Sequence, residues 1–112
     1  MYFEIETKDD VTFINVTINK ATIETAADFK LLLNEQIEEY KKNKIVIDFS
    51  KVDFVDSSFL GALVTGLKRI MHIKGDIKVL GLRPPVLAMF ELTRLYKVFE
   101  IFEDEQDAIL SF

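Results

Sequence analysis

The chain contains no cysteine and no tryptophan, only one histidine, two prolines and four glycines. Without cysteine there is no disulfide, no thiolate metal site and no cysteine nucleophile, and a reducing compartment is permitted. The scarcity of glycine and proline, beside ten phenylalanines and 49% hydrophobic residues, excludes a disordered or low-complexity protein. Basic residues are in deficit as well, 14 against 19 acids, and the formal charge of −5 argues against a nucleic-acid backbone as the main partner. No apolar run approaches the roughly 18 residues that would cross a bilayer, so no direct membrane insertion is expected. Met1-Tyr2-Phe3-Glu4 leads straight into alternating residues rather than into a signal peptide, and a cytoplasmic protein is expected.

What is present fits one domain, residues 1–112, because a chain of 112 residues has room for a single core. Ile45-Val46-Ile47 is β-branched and apolar without alternation, the pattern of a central strand covered on both faces, and Asp48 ends it. After the loop Phe49–Val55, the residues Leu60, Leu63, Val64, Leu67, Ile70 and Met71 recur at helical spacing. A helix therefore opens at Asp56-Ser57, with Ser57 at or next to its N-cap, and Gly75 is expected to end it in a left-handed conformation. Phe54 and Val55 are either loop anchors in the core or part of an interface, and the core is the expectation, as aromatics usually lie there.

The remaining elements follow from period and punctuation. Phe3–Thr7 and Val11–Thr17 alternate around the acidic turn Lys8-Asp9-Asp10 and predict a hairpin of two edge strands. Thr25-Ala26-Ala27-Asp28 has the form of a helix start, and Phe29, Leu32, Leu33, Ile37 and Tyr40 carry that helix to about Lys42. Ile77–Leu80 reads as a strand. Pro84-Pro85 opens a helix to about Leu95, since proline suits a first helical turn. Val98–Phe102 predicts a last strand, and Glu103-Asp104-Glu105 leads a short helix through Leu110, with carboxylates at the end the dipole favours. The fold class is α/β: a mixed, mostly parallel sheet of about five strands with about four helices, joined by right-handed crossovers.

Catalytic constellations are thin. His72 lies far along a helix with no partner in the sequence pattern and is expected to be a partly exposed helix residue, and the flanks of Ser57 and Ser58 lack the Gly-x-Ser-x-Gly elbow. Asp48, Asp53 and Asp56 sit around one loop and could offer oxygen ligands to a hard cation, but capping and solvation account for them. The glycines are too dispersed for a phosphate cradle. A phosphorylated receiver domain would need an acidic pair at the end of its first strand, whereas Asp9-Asp10 fall in a hairpin turn. No catalytic residue, metal or cofactor is expected.

The run Asp48-Phe49-Ser50-Lys51-Val52-Asp53-Phe54-Val55-Asp56-Ser57-Ser58-Phe59-Leu60-Gly61 closely resembles the signature of the STAS family of bacterial anti-sigma factor antagonists, approximately D-L-S-x-V-x-x-[MI]-D-S-[ST]-G-L-G. The opening hairpin, the Thr25-Ala26 region, Gly75 and Pro84-Pro85 also fall where the family's equivalents do. The resemblance implies a non-catalytic binding protein in a partner-switching pathway that regulates sigma-factor-dependent transcription. Its partner would be an anti-sigma factor that is also a histidine-kinase-like ATPase acting as a serine kinase. Phosphorylation of Ser57, the serine after the motif aspartate, would release the partner, and a serine phosphatase would reset the switch. The resemblance places Asp56, Ser57, Ser58, Phe59 and Thr22 at the contact surface. Asp56 would orient the serine or accept from helix amides, and Ser58 would take a second capping bond. Two letters differ from the family pattern: Phe59 stands where it has glycine, and the Asn19–Thr22 loop lacks its aspartate. The second reading is a STAS-type binding subunit of a transporter or sensory complex, in which Ser57 is only a cap.

Overall fold

A computed structural model describes residues 2–112. Strands β1 (Phe3–Lys8) and β2 (Val11–Val16) form the hairpin, and both turn residues, Asp9 and Asp10, have positive φ, as a two-residue turn matched to strand twist requires. A short strand β3 (Lys20–Ala21) precedes helix α1 (Ile23–Asn34), which runs into a π-helical turn, Glu35–Glu39. Then come β4 (Lys44–Asp48), a short β5 (Phe54–Val55), α2 (Ser57–Met71), β6 (Asp76–Leu80) and α3 (Pro84–Leu92). A 3₁₀ turn (Leu95–Lys97), β7 (Ile101–Phe102) and α4 (Glu105–Leu110) complete the chain.

The main sheet has five strands in the order β1-β2-β4-β6-β7; β1 and β2 pair antiparallel and every other pairing is parallel. The mixed, mostly parallel sheet with four α-helices is the architecture expected from sequence. A second parallel pair, β3 with β5, was not expected, because two-residue strands are too short to carry a period. Of the two hairpin strands only β1 lies at an edge, the opposite edge being β7. Strand β2 is buried along nearly its whole length, because β4 hydrogen-bonds to its free side.

Alternation along the central strands separates two apolar clusters. Ile14, Ile45, Ile47, Ile77 and Val79 face α1, α2 and α3, where Phe29, Leu33, Leu63, Ile70 and Phe90 are fully buried. Val11, Phe13, Val46 and Leu80 face the opposite way, under Ala108 of α4. Ile45-Val46-Ile47 is thus covered on both sides, as its unbroken β-branched run predicted. Lys78 shares the second face at 4% exposure, its Nζ donating to Glu100 Oε1 at 2.6 Å and lying 4.8 Å from the Phe112 ring centre.

Several boundaries differ from the sequence expectation. Helix α1 starts three residues earlier than Thr25-Ala26 suggested: Thr22 is its N-cap, and Thr25 is a buried residue of the first turn whose amide donates to Thr22 O at 3.0 Å. Met71 is 63% exposed, because the stripe of α2 drifts off the core before its last turn, and His72 caps that helix in solvent. Gly75 does not take the left-handed conformation; Lys74 does, at φ 59°. Glycine is needed at 75 for a different reason, since a Cβ there would sit 2.5 Å from the carbonyl oxygen of Asn43. The last strand shrinks to Ile101–Phe102, with Val98 exposed. No helix is long and apolar enough to cross a membrane among the described residues.

Candidate functional site

In a parallel α/β arrangement the carboxyl ends of the strands and the N-termini of the following helices gather at one end, where such sheets place their sites. Here β2, β4 and β6 deliver α1, α2 and α3 to that end. The short β3–β5 pair then sets two of the helix starts side by side. Its register matches Ala21 with Val55, so the next residues, Thr22 and Asp56, are neighbouring N-caps.

Asp56 serves both helices. Its Oδ1 accepts from the Phe59 amide of α2 at 2.9 Å, and its Oδ2 accepts from the Ile23 amide of α1 at 2.8 Å. The backbone reinforces the junction, with Asp56 N donating to Ala21 O at 3.2 Å. The Thr22 hydroxyl contributes only a long 3.4 Å bond from Glu24 N. A carboxylate is suited to this place because the first amides of each helix lack internal partners and carry partial positive charge. The sequence put Ser57 at or next to the N-cap, and the resemblance had Asp56 orient the serine or accept from helix amides; the N-cap is Asp56, and its second bond joins residues 33 apart with no local signal.

Ser57 is the first residue of α2, next to the N-cap, and is exposed. Its hydroxyl makes no hydrogen bond among the described residues, and neither does that of Ser58, which is half-buried. The second capping bond expected of Ser58 on α2 is not made among the described residues; the other oxygen of Asp56 goes to α1. One turn beyond Ser57, Gly61 is exposed and a Cβ there would meet nothing within 4 Å, so α2 presents a smooth surface to solvent.

Phe59 corrects the expected contact surface. It is fully buried, stacked on Phe29 at 4.4 Å between ring centres and edge-on to Phe49 at 6.3 Å. Two helical residues turn the chain through roughly 200°, so with Ser57 facing solvent Phe59 must face the core. Phe54 and Val55 divide: Val55 is fully buried, whereas Phe54 is 48% exposed, because adjacent strand residues point to opposite faces. Phe54 therefore belongs to the surface around Ser57, with Lys20 opposite it in register.

The loop leading to the site is clasped by Arg83. Its Nη1 donates to Asp53 Oδ1 at 2.6 Å and its Nε donates to Ser50 O at 2.7 Å, tying Ser50–Asp53 to the start of α3. Asp48 Oδ1 accepts from Ser50 N at 2.8 Å. The three aspartates of the motif thus turn to three separate tasks, and no group of three or more His, Cys, Asp or Glu side chains converges among the described residues.

The comparisons agree with this geometry. The family model for the STAS domain matches residues 2–108. The anti-sigma F factor antagonist of Paenibacillus polymyxa is 28% identical over 80 residues, 71% of this chain and 68% of that protein. A Thermotoga maritima protein, described in its crystal structure as a candidate anti-sigma factor antagonist, superposes with a TM-score of 0.86 at 27% identity, covering 97% of this chain and 92% of that one. The Bacillus cell fate determinant SpoIIAA in its phosphorylated form shares the fold at a TM-score of 0.75 and 17% identity, covering 97% of each chain. With a matched model spanning nearly every residue and a five-stranded mixed sheet whose signature loop leads into the α2 N-terminus, the chain belongs to the STAS domain family.

Proposed function

We propose that this protein is an anti-sigma factor antagonist: it binds a kinase-type anti-sigma factor through the surface around Ser57 and is released when that factor phosphorylates Ser57. The observation that carries the reading is the exposed, unpartnered Ser57 hydroxyl on the first residue of a helix, beside an aspartate already committed to two amides. A phosphate added there brings about −1.5 to −2 charges. The free amides of a helix start favour that charge, so the domain keeps its shape. A docked partner meets a new anion beside Asp56, and a loss of a few kcal/mol weakens binding by orders of magnitude. Thr22, Asp56, Ser58 and Phe54 form the rest of the contact surface, while Phe59 supports it from beneath. The role is that of a binding protein that catalyses nothing itself, works in the cytoplasm, and depends on a separate phosphatase for its return.

The test is incubation with ATP and the cognate kinase, followed by mapping of the modified residue. Phosphate on Ser57, and loss of the complex for Ser57→Asp but not Ser57→Ala, are expected. Modification of Ser58 or Thr22 with none on Ser57 refutes the site. Recovery of a transporter or sensor subunit from cells, in place of an ATP-binding anti-sigma protein, refutes the partner.

A further inference from the structure

Two exposed surfaces away from Ser57 have opposite character. On α1, Ile23, Ala27 and Leu31 recur every fourth residue on the solvent side, and Ile23 and Leu31 are 68% and 70% exposed. A surface helix normally turns such a stripe inward. Leu31 opens onto a cleft of about 420 Å³ walled by Glu35, Glu38 and Glu39, and the stretch from Ile23 to Glu39 holds five acids and one base. That wall is the π-helical turn, a geometry found frequently at functional sites. Asn34 lines the same cleft, and its Oδ1 is buried without a hydrogen-bond partner among the described residues. Such orphan acceptors are few in native structures.

The other surface is α3 with the 3₁₀ turn after it. This helix is apolar nearly all round, a composition that belongs inside a protein, yet Leu92 is 78% exposed, followed by Tyr96 at 47% and Val98 at 53%. Between Pro84 and Val98 there are two bases, Arg94 and Lys97, against one acid, which inverts the sign of the chain as a whole. Arg94 and Lys97 make no ion pair among the described residues. The two surfaces lie at opposite ends of the helical layer, because α1 follows β2 and α3 follows β6 in the order β1-β2-β4-β6-β7.

From these observations we infer that the basic, apolar ridge of α3 docks into the acidic, apolar cleft of α1 on a second copy of this chain. Leu92 and Tyr96 cover Leu31, and Arg94 and Lys97 face Glu35 and Glu39. The contact extends the helical layer of one copy into that of the next. Because the two faces differ, the contact is head-to-tail and produces a ring or an open chain of copies rather than a two-fold dimer. Its charged rims make it weaken with salt.

Leu31→Lys and Leu92→Glu test it by analytical ultracentrifugation of the full chain, since both side chains are exposed and leave the core untouched. The wild type should grow in mass across the micromolar to millimolar range, and each variant alone should weaken association by about tenfold or more. The decisive result is the mixture: one variant keeps its ridge and the other its cleft, so equal amounts should form a one-to-one pair and nothing larger. A wild type that stays at 12.9 kDa throughout overturns the proposal. So does a mixture that behaves as its separate components, or binding of the ridge to anionic vesicles with no self-association.

Discussion

Replacing Asp56 separates a carboxylate that joins two helices from one that caps a single helix. Asp56→Ala removes the acceptor for Phe59 N and the acceptor for Ile23 N together. A lost N-cap costs about 1 kcal/mol and a bond to a charged group about 1.5–3, so with Asp56 half exposed the pair should cost about 2–3 kcal/mol. Asp56→Asn keeps one acceptor oxygen and puts a donor in place of the other, which loses about 1 kcal/mol. For a domain of this size these convert to falls in Tm of about 10 °C and about 4 °C. A third variant isolates the inter-helix bond. Ile23→Pro deletes the amide at the first position of α1, where proline is tolerated, and Thr22 before it already has the extended backbone that a following proline needs, φ −131° and ψ −174°. In that background Asp56→Asn should cost almost nothing, because the remaining oxygen is free for Phe59 N. Urea denaturation of the four members of the cycle measures the coupling, expected at about 1 kcal/mol. Strict additivity, or an Asn variant as unstable as the Ala variant, refutes the two-helix role.

Two further perturbations address residues whose roles differ from the sequence expectation. Phe59→Gly restores the family's usual letter yet removes a ring packed among Phe3, Phe29 and Phe49, so it should destabilise by about 4–6 kcal/mol, from the lost ring plus the glycine penalty in a helix. A thermal melt within a few degrees of wild type would show that the core closes over the gap. Lys74→Gly should stabilise by about 0.5–1 kcal/mol because Lys74 holds φ 59°, while Gly75→Ala should destabilise through contact with the Asn43 backbone. Denaturant midpoints moving in the opposite directions would return the left-handed role to Gly75.

Phe59 and Phe54 show how far the motif letters could be trusted. The spacing from Asp48 to Gly61 located the loop, the helix start and the exposed serine, because each is a local consequence of dihedral preference and helical period. It put Phe59 on the surface by analogy with a family glycine, although helical rotation alone turns that position away from Ser57. Phe54 was placed in the core on the average behaviour of aromatics, and only the pairing of β5 with β3, which no local pattern announces, made it a strand residue pointing opposite to the buried Val55.

The sequence by itself determined the hairpin, the doubly covered central strand, the alternation of strand and helix, and the opening of α2 beside Asp56, because all of these are written in periods and caps a few residues long. The tertiary structure alone decided that β2 is interior, that β3 and β5 pair, that Asp56 reaches across to Ile23, and that Arg83 clasps Asp53 and Ser50. Each of these joins residues about 30 or more apart in the chain. A short-range pattern carries no record of which distant amide or carboxylate the fold will bring within hydrogen-bonding distance.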